Sequence, residues 1–330
     1  MTESVDALPL VTAEQREAIQ SADRTVEAHR ALMTDLPAMN LLEEGGKPCV
    51  EALSSPVRVI AWNLERCYFP HESATLIGKQ DADVVLLSEV DKGMARTGQR
   101  HTTAEIADIL GMRYTYGVEF HELDLGGPSE LPFCQDDHNR DGWHGNALLS
   151  KAPFKRLQLI RLDDHGHWFT DDAGSDPRQP RVGGRIAIAA VIDVSGNNVC
   201  FVTTHLESNA KVSDRDAQMR TLIKAVEIFA PATPVIIGGD LNTGNHLPSL
   251  DWQDETLFQT ARSYGYHWDA NADGTTTRPS MISKNPPARM KLDWFCARGV
   301  DASEAVIVPA LAPNDQPLSD HEMIAARFCT

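Results

Sequence analysis

From Val57 onward the chain carries short apolar runs of strand length: VRVIAWN, DVVLLSEV, NALLS, RIAIAAVIDV, NVCFVTTHL, PVIIGGDL, KLDWFCA and EAVIVPA. They are rich in Val and Ile, and several end on turn residues, which is how β-strands read. Many alternate only partly between apolar and polar positions, so sheets buried on both faces are expected. Between the runs, Ser73 to Gln80, Thr102 to Leu110 and Ser213 to Phe229 read as helices. Strands with interspersed helices predict a layered α/β or α+β domain.

Residues 1–55 have a different character. Thr12 and Gln15 form a capping-box pattern, and no Gly or Pro interrupts the segment from there to Met33. Ile19, Ala22, Val26 and Met33 share one helical stripe, broken by His29. An N-terminal helical extension is predicted, followed by a connector, LLEEGGKPCVEALSSP, with a second unit over 56–330. Two segments rich in Asp, Gly, Pro and His, 121–145 and 162–184, read as long surface insertions. Segments of that kind inside a compact domain are usually binding loops or disordered loops.

Composition narrows the classes. A chain of 330 residues with 42% hydrophobic content can bury a sizeable core. Its net charge of −17 makes it a poor non-specific binder of nucleic acid or anionic membrane, both polyanions. No run approaches the ~20 apolar residues that span a bilayer. The opening MTESVDALPL has neither a basic nor an apolar signal region, so a cytoplasmic location is expected. The six cysteines are scattered without metal-type spacing and read as buried free thiols in a reducing compartment.

The informative positions are the ends of the apolar runs. Asn63 and Glu65 follow VRVIAW, Glu89 sits in DVVLLSEV, and His205 closes NVCFVTTH. Asp240 and Asn242 follow PVIIGG, Asp293 opens DWFCA, and Asp320 and His321 precede EMIAARF. Any one alone is ordinarily a turn or rim residue. Jointly they suit one open end of a sheet sandwich, where several carboxylates beside apolar strands need a cation or mutual pairing.

In that order, WNLE, SEV, GNALLS, TTHLES, GGDLN, LDWF and SDH resemble the endonuclease/exonuclease/phosphatase superfamily, which includes apurinic endonucleases, DNases, neutral sphingomyelinases and inositol polyphosphate 5-phosphatases. The resemblance covers roughly residues 56–330. It implies a four-layer α/β sandwich: two packed mixed β-sheets flanked by helices, with one divalent-metal site at one end. Residue by residue, it implies Glu89 as the principal metal carboxylate, with Glu65 near the metal and Asp320 beside the catalytic histidine. Asn63 takes the place of a phosphate- and metal-orienting residue. His205, Asp240, Asn242, Asp293 and His321 take catalytic places, the last with Asp293 as a dyad.

Hard carboxylate oxygens suit Mg²⁺ or Mn²⁺, and Glu65 or Asp320 can assist Glu89. Asp293 would fix the His321 tautomer and raise its basicity. Asp240 could position the attacking water or take its proton. Asn242, Asn63 and His205 can donate to phosphoryl oxygens. No Walker A loop, dinucleotide fingerprint or G-x-S-x-G motif is present.

Substrate class rests on the insertions. Arg178, Arg181 and Arg185 could grip a charged group, or simply compensate the acidic stretch before them. Trp143, Trp168 and Phe169 could wall a pocket, or pin a loop. His138, His144, His165 and His167 fit no standard metal set. The expectation is a hydrolase of small or lipid-like phosphate esters, with extended nucleic acid disfavoured. A lyase on a non-phosphate molecule, a nuclease and a non-enzymatic interaction module are the alternatives.

Overall fold

In the computed structural model, residues 1–170, 181–284, 286 and 288–330 are described. One mixed sheet runs in the order β1 (Ser4–Val5), β2 (Leu42–Gly46), β5 (Arg113–Glu122), β6 (Trp143–Ser150), β4 (Val84–Lys92), β3 (Val57–Arg66), β14 (Met323–Cys329), β13 (Asp301–Val308), and β8 (Arg181–Gly183) pairs with β5. The second runs β12 (Asp293–Arg298), β11 (Val235–Asp240), β10 (Asn197–His205), β9 (Ile186–Val194), β7 (Phe154–Arg161).

The two sheets pack face to face. Val57, Val59 and Ala61 of β3 meet Ile188, Ile192, Phe201, Ile236 and Phe295 of the second sheet in one buried cluster. The alternate β3 residues, Ile60, Trp62 and Leu64, point the other way, under α1 (Ala13–Ser21), α2 (Val26–Asp35), α3 (Pro70–Gly78) and α4 (Thr102–Leu110). The outer face of the second sheet is covered by α5 (Val212–Phe229) and α6 (Leu257–Ser263), through Leu222, Val226, Phe258 and their neighbours. Each central strand is therefore buried on both faces, which is why the apolar runs hardly alternate. The four-layer arrangement is the one expected.

Several elements differ from the sequence reading. The N-terminal helix is two helices, because Thr25 caps a second start by accepting from Ala28 N at 3.2 Å. The Thr12–Gln15 capping box does form. The segment read as a connector contains β2, which pairs antiparallel with β5 from Leu42↔Gly117 to Gly46↔Arg113. Helix α3 begins three residues before Ser73, at Pro70, whose fixed φ suits a first turn. Both insertions begin or end within strands: His121 and Glu122 belong to β5, Trp143 to β6, and Arg181 to β8. Arg178 lies outside the described residues. Cys67, Cys200 and Cys296 are buried, while Cys49 and Cys329 are exposed and all six are free. No helix among the described residues is long and apolar enough to cross a membrane.

Candidate active site

Register delivers the polar residues to one end. His205 pairs with Asp240 across parallel β10 and β11, and Asp240 pairs with Asp293 across β11 and β12. The three side chains thus come from one row of three adjacent strands. Two glycines make the tight row feasible. A Cβ on Gly238 would meet the Phe295 ring at 2.6 Å, and one on Gly239 would meet Thr204 O at 2.0 Å. In the facing sheet, β3 and β4 shift register between Asn63 and Arg66, and β4 and β6 between Leu87 and Val90. Glu65 and Glu89 take positive φ at these irregularities, 44° and 53°. Irregular pairing of this kind re-aims side chains at strand ends.

The dyad is formed. His321 Nδ1 lies 2.8 Å from Asp293 Oδ2, and His321 Nε2 lies 3.6 Å from Asp240 Oδ2. The loop before β14 is fixed by Ser319, which donates to Asn63 O at 2.7 Å and accepts from His321 N at 3.0 Å. Burial pulls the imidazolium down, but the charges of Asp293 and Asp240 outweigh it and hold His321 well above its ordinary value. Asp240 is pushed up by burial, against the pull of His321 and His205.

His205 stands beside them, with Nε2 3.5 Å from Asp240 Oδ2. Behind it, Arg185 Nη1 is 2.8 Å and Glu119 Oε2 3.4 Å from Nδ1. Burial and Arg185 lower its basicity; Glu119 and Asp240 raise it and prevail. Asn242 commits an amide hydrogen to Leu206 O at 3.0 Å and accepts from Asn245 at 2.8 Å.

Three further carboxyls meet at the other side. Burial pushes the Glu65 carboxyl up to about 8, reinforced by the charges of Asp320 and Glu89. Asp320 is likewise raised, by burial first and then by Glu89 against the pull of His321. Glu89 stays well below its usual range because Arg66 overcomes the cost of burial. A divalent cation would relieve the repulsion that raises Asp320 and Glu65, and Glu89 and Asp320 could hold it through hard carboxylate oxygens if Glu89 gave up its pairing with Arg66. Glu89 and Asp320 line the open cleft, whereas Glu65 accepts from Ser280 Oγ at 2.6 Å behind them. Among the described residues, the three such ligand atoms that already lie within 4.8 Å of one another belong to Asp240, Asp293 and His321, two of which form the dyad hydrogen bond.

The cleft has a volume of about 830 Å³. Its floor carries Glu89, His205, Asp240, Asn242, Asp320 and His321. Pro128, Pro132 and Phe133 of the first insertion, together with Met281, Ile282 and Met290, supply its apolar walls.

The substrate-binding expectations need correction. Asn63 does not face the cleft; its amide donates to Glu89 Oε1 at 3.2 Å and Asp240 Oδ2 at 3.0 Å, tying the two halves of the site together. Arg185 is buried between Glu119 and Glu207 and supports His205. Arg181 pairs with Glu122 at 3.2 Å and stacks over Trp168. Trp143 is fully buried against His121, since it opens β6 rather than sitting in a loop. Trp168 donates to Glu207 at 3.0 Å, so it braces Arg185 instead of walling the cleft. Phe169 packs under α2 on His29. His144 binds Asp91 at 2.8 Å, while His138 and His165 are exposed. Glu119, Arg66 and Glu130 also belong to the site and did not stand out in the sequence. A charged residue inside the apolar run GVEF was the available signal for Glu119.

A 59-residue stretch is 39% identical to tyrosyl-DNA phosphodiesterase 2 of Xenopus laevis, and covers 18% of this chain and 16% of that one. The fold is similar to the human nocturnin catalytic domain, with TM-score 0.54 and 18% identity over 87% of this chain and 96% of that one. It is also similar to a Bacteroides thetaiotaomicron mannosyl-6-phosphatase, with TM-score 0.57 and 12% identity over 83% of this chain and all (100%) of that one. A protein from Beutenbergia cavernae aligns at TM-score 0.57 and 18% identity, over 83% and 71% of the two chains. Residues 60–321, most of the sequence, match the endonuclease/exonuclease/phosphatase family, and the chain belongs to that family.

Proposed function

We propose that this protein is a divalent-metal-dependent hydrolase of phosphate esters that acts on small or lipid-like esters in preference to extended nucleic acid. The observation that carries this reading is the convergence of the His321–Asp293 dyad, Asp240, His205 and Glu89 on one cleft floor beneath apolar walls.

Glu89 and Asp320 would hold Mg²⁺ or Mn²⁺, which would supply Lewis acidity toward a phosphoryl group. Asp240 accepts a hydrogen bond from the attacking water and takes its proton. His321, held by Asp293, acts as the positioned acid–base and charge-stabilising group on the phosphoryl side. His205 and the remaining amide hydrogen of Asn242 donate to non-bridging oxygens. Asn63 keeps the metal carboxylate and the base at a fixed separation.

Two features support the substrate class. The net charge of −17 repels a polyanion that adds one charge per ~1.7 Å of duplex. Phe133 and Met281 offer apolar surface to the organic part of an ester. The relatives' names include both a phosphodiesterase and a sugar phosphatase, so both ester types belong in the assay.

The test compares kcat/KM for p-nitrophenyl phosphate, bis-p-nitrophenyl phosphate and alkyl aryl phosphodiesters of increasing chain length with cleavage of plasmid and abasic DNA, at matched ionic strength in Mg²⁺ and Mn²⁺. Small esters should be favoured, and Phe133→Ala should raise KM for the longer alkyl esters by about 10-fold, the worth of one or two buried methylenes. Faster cleavage of DNA would overturn the substrate class. Inactivity toward every phosphoester would overturn the reaction class.

A further inference from the structure

Arg66 is the basic side chain that reaches Glu89 from the family motif WNLE plus one residue. Its Nη1 pairs with Glu89 Oε2, while its Nε donates to Glu130 Oε1 at 2.9 Å. It takes a left-handed conformation, φ 75°, between Glu65 and Cys67, which also have positive φ. That turn aims the guanidinium back at the site. Glu130 belongs to the first insertion and is 6% exposed. Its other oxygen accepts from Gly127 N at 2.7 Å, closing its own loop. Arg96, itself held bidentately by Asp91, also reaches Glu130 at 3.1 Å. Directly beside Glu130 in the chain stand Pro128, Ser129, Pro132 and Phe133, one wall of the cleft.

One guanidinium is therefore shared between the carboxylate proposed to hold the metal and the carboxylate that anchors a cleft wall. The demands of the two partners oppose each other. A cation at Glu89 repels Arg66 and lessens the need of Glu89 for it. Arg66 then has Glu130 as its remaining acidic partner. We propose that Arg66 and Glu130 are positioning residues that couple occupation of the Glu89 metal site to the docking of the first insertion over the cleft. The inference rests on the metal reading of Glu89. Coupling between sites is reciprocal, so whatever tightens the Arg66–Glu130 contact also favours the cation.

The signs follow from electrostatics. Removing the Glu130 charge leaves Arg66 wholly to Glu89, so cation binding weakens. Removing the Arg66 charge frees Glu89, so cation binding tightens, yet the wall, still held by Arg96, loses its link to the metal carboxylate. A lysine has a single nitrogen and cannot serve two carboxylates through separate atoms as Arg66 does. A merely structural pair would leave exchange over 123–135 unresponsive to the cation.

The experiment measures Mn²⁺ affinity by titration calorimetry and backbone hydrogen exchange over 123–135, with and without Mn²⁺, on the full chain. In the unsubstituted protein Mn²⁺ should slow exchange in that segment. Glu130→Gln should weaken Mn²⁺ by about 5-fold or more and Arg66→Gln should tighten it by about 5-fold or more, the low end of ordinary coupling. Both should abolish the Mn²⁺-dependent slowing, and Arg66→Lys should abolish it while keeping Mn²⁺ affinity within about 2-fold. Should Arg66→Gln fail to fold, Glu130→Gln and Arg66→Lys decide the matter. Mn²⁺ binding that leaves exchange over 123–135 unchanged, or variants that all shift affinity the same way, would overturn the coupling alone. Absence of Mn²⁺ binding to the unsubstituted protein would overturn the metal reading beneath it.

Discussion

His205 and Asp240 end two adjacent parallel strands in register, and Nε2 of one lies 3.5 Å from Oδ2 of the other. Asp293 faces Asp240 on the next strand, so the separation of these groups is set by sheet hydrogen bonds rather than by loops. A one-residue slip would turn each side chain to the opposite face. The site is thus as rigid as the core beneath it. The imidazole of His321, which arrives from the other sheet, is the component that a single hydrogen bond to Asp293 must orient.

From that dependence, His321→Ala should lower turnover by ~10²–10⁴, the usual worth of a positioned acid–base group. Asp293→Asn keeps the shape but removes the charge that holds the tautomer, so it should fall in the same direction with circular dichroism unchanged. Steady-state kinetics on a small phosphoester checks both, and unchanged kcat in His321→Ala would remove that residue from the chemistry.

A second prediction concerns stability. His121 is buried, its Nδ1 donates to Gly142 O at 3.1 Å, and its Nε2 is buried without a hydrogen-bond partner. Burial, with the nearby charge of Arg16, brings its pKa down from 6.5 to about 3. The folded state keeps it neutral while the unfolded chain binds a proton below 6.5, so stability present above that pH is lost progressively as pH falls toward 3. The slope from this group approaches about 1.4 kcal/mol per pH unit. Urea unfolding at pH 7, 6 and 5 should show His121→Asn losing less stability on acidification than the unsubstituted protein. Parallel losses in the two proteins would refute the assignment.

Much of the site was legible because polar residues that end apolar runs are conspicuous: Glu89 after DVVLLS, His205 after VCFVTT, Asp240 after VIIGG. Their order matched the family, and the strands carrying them were evident. What sequence could not reveal were pairings between distant segments. Arg185 reads as a loop arginine, yet it is buried by Glu119 of β5 and Glu207 beyond β10. Trp143 reads as an insertion aromatic because DGWHG looks like a loop, but it starts β6. Strand β2 was hidden by its sequence, LEEGG, whose Glu43 is buried because it accepts from Leu8 N at 2.8 Å. Asn63 looks like a ligand for phosphate until the partners that consume its amide are visible.

The most direct measurement is phosphoesterase activity as a function of Mg²⁺ or Mn²⁺ concentration in the unsubstituted protein and in Glu89→Gln, an isosteric change. Turnover should be absent in EDTA and recover on adding either metal, and Glu89→Gln should need more metal and show a lower kcat while the fold is retained. Full turnover in EDTA, or a Glu89→Gln enzyme with unaltered metal dependence, would contradict the metal reading of Glu89.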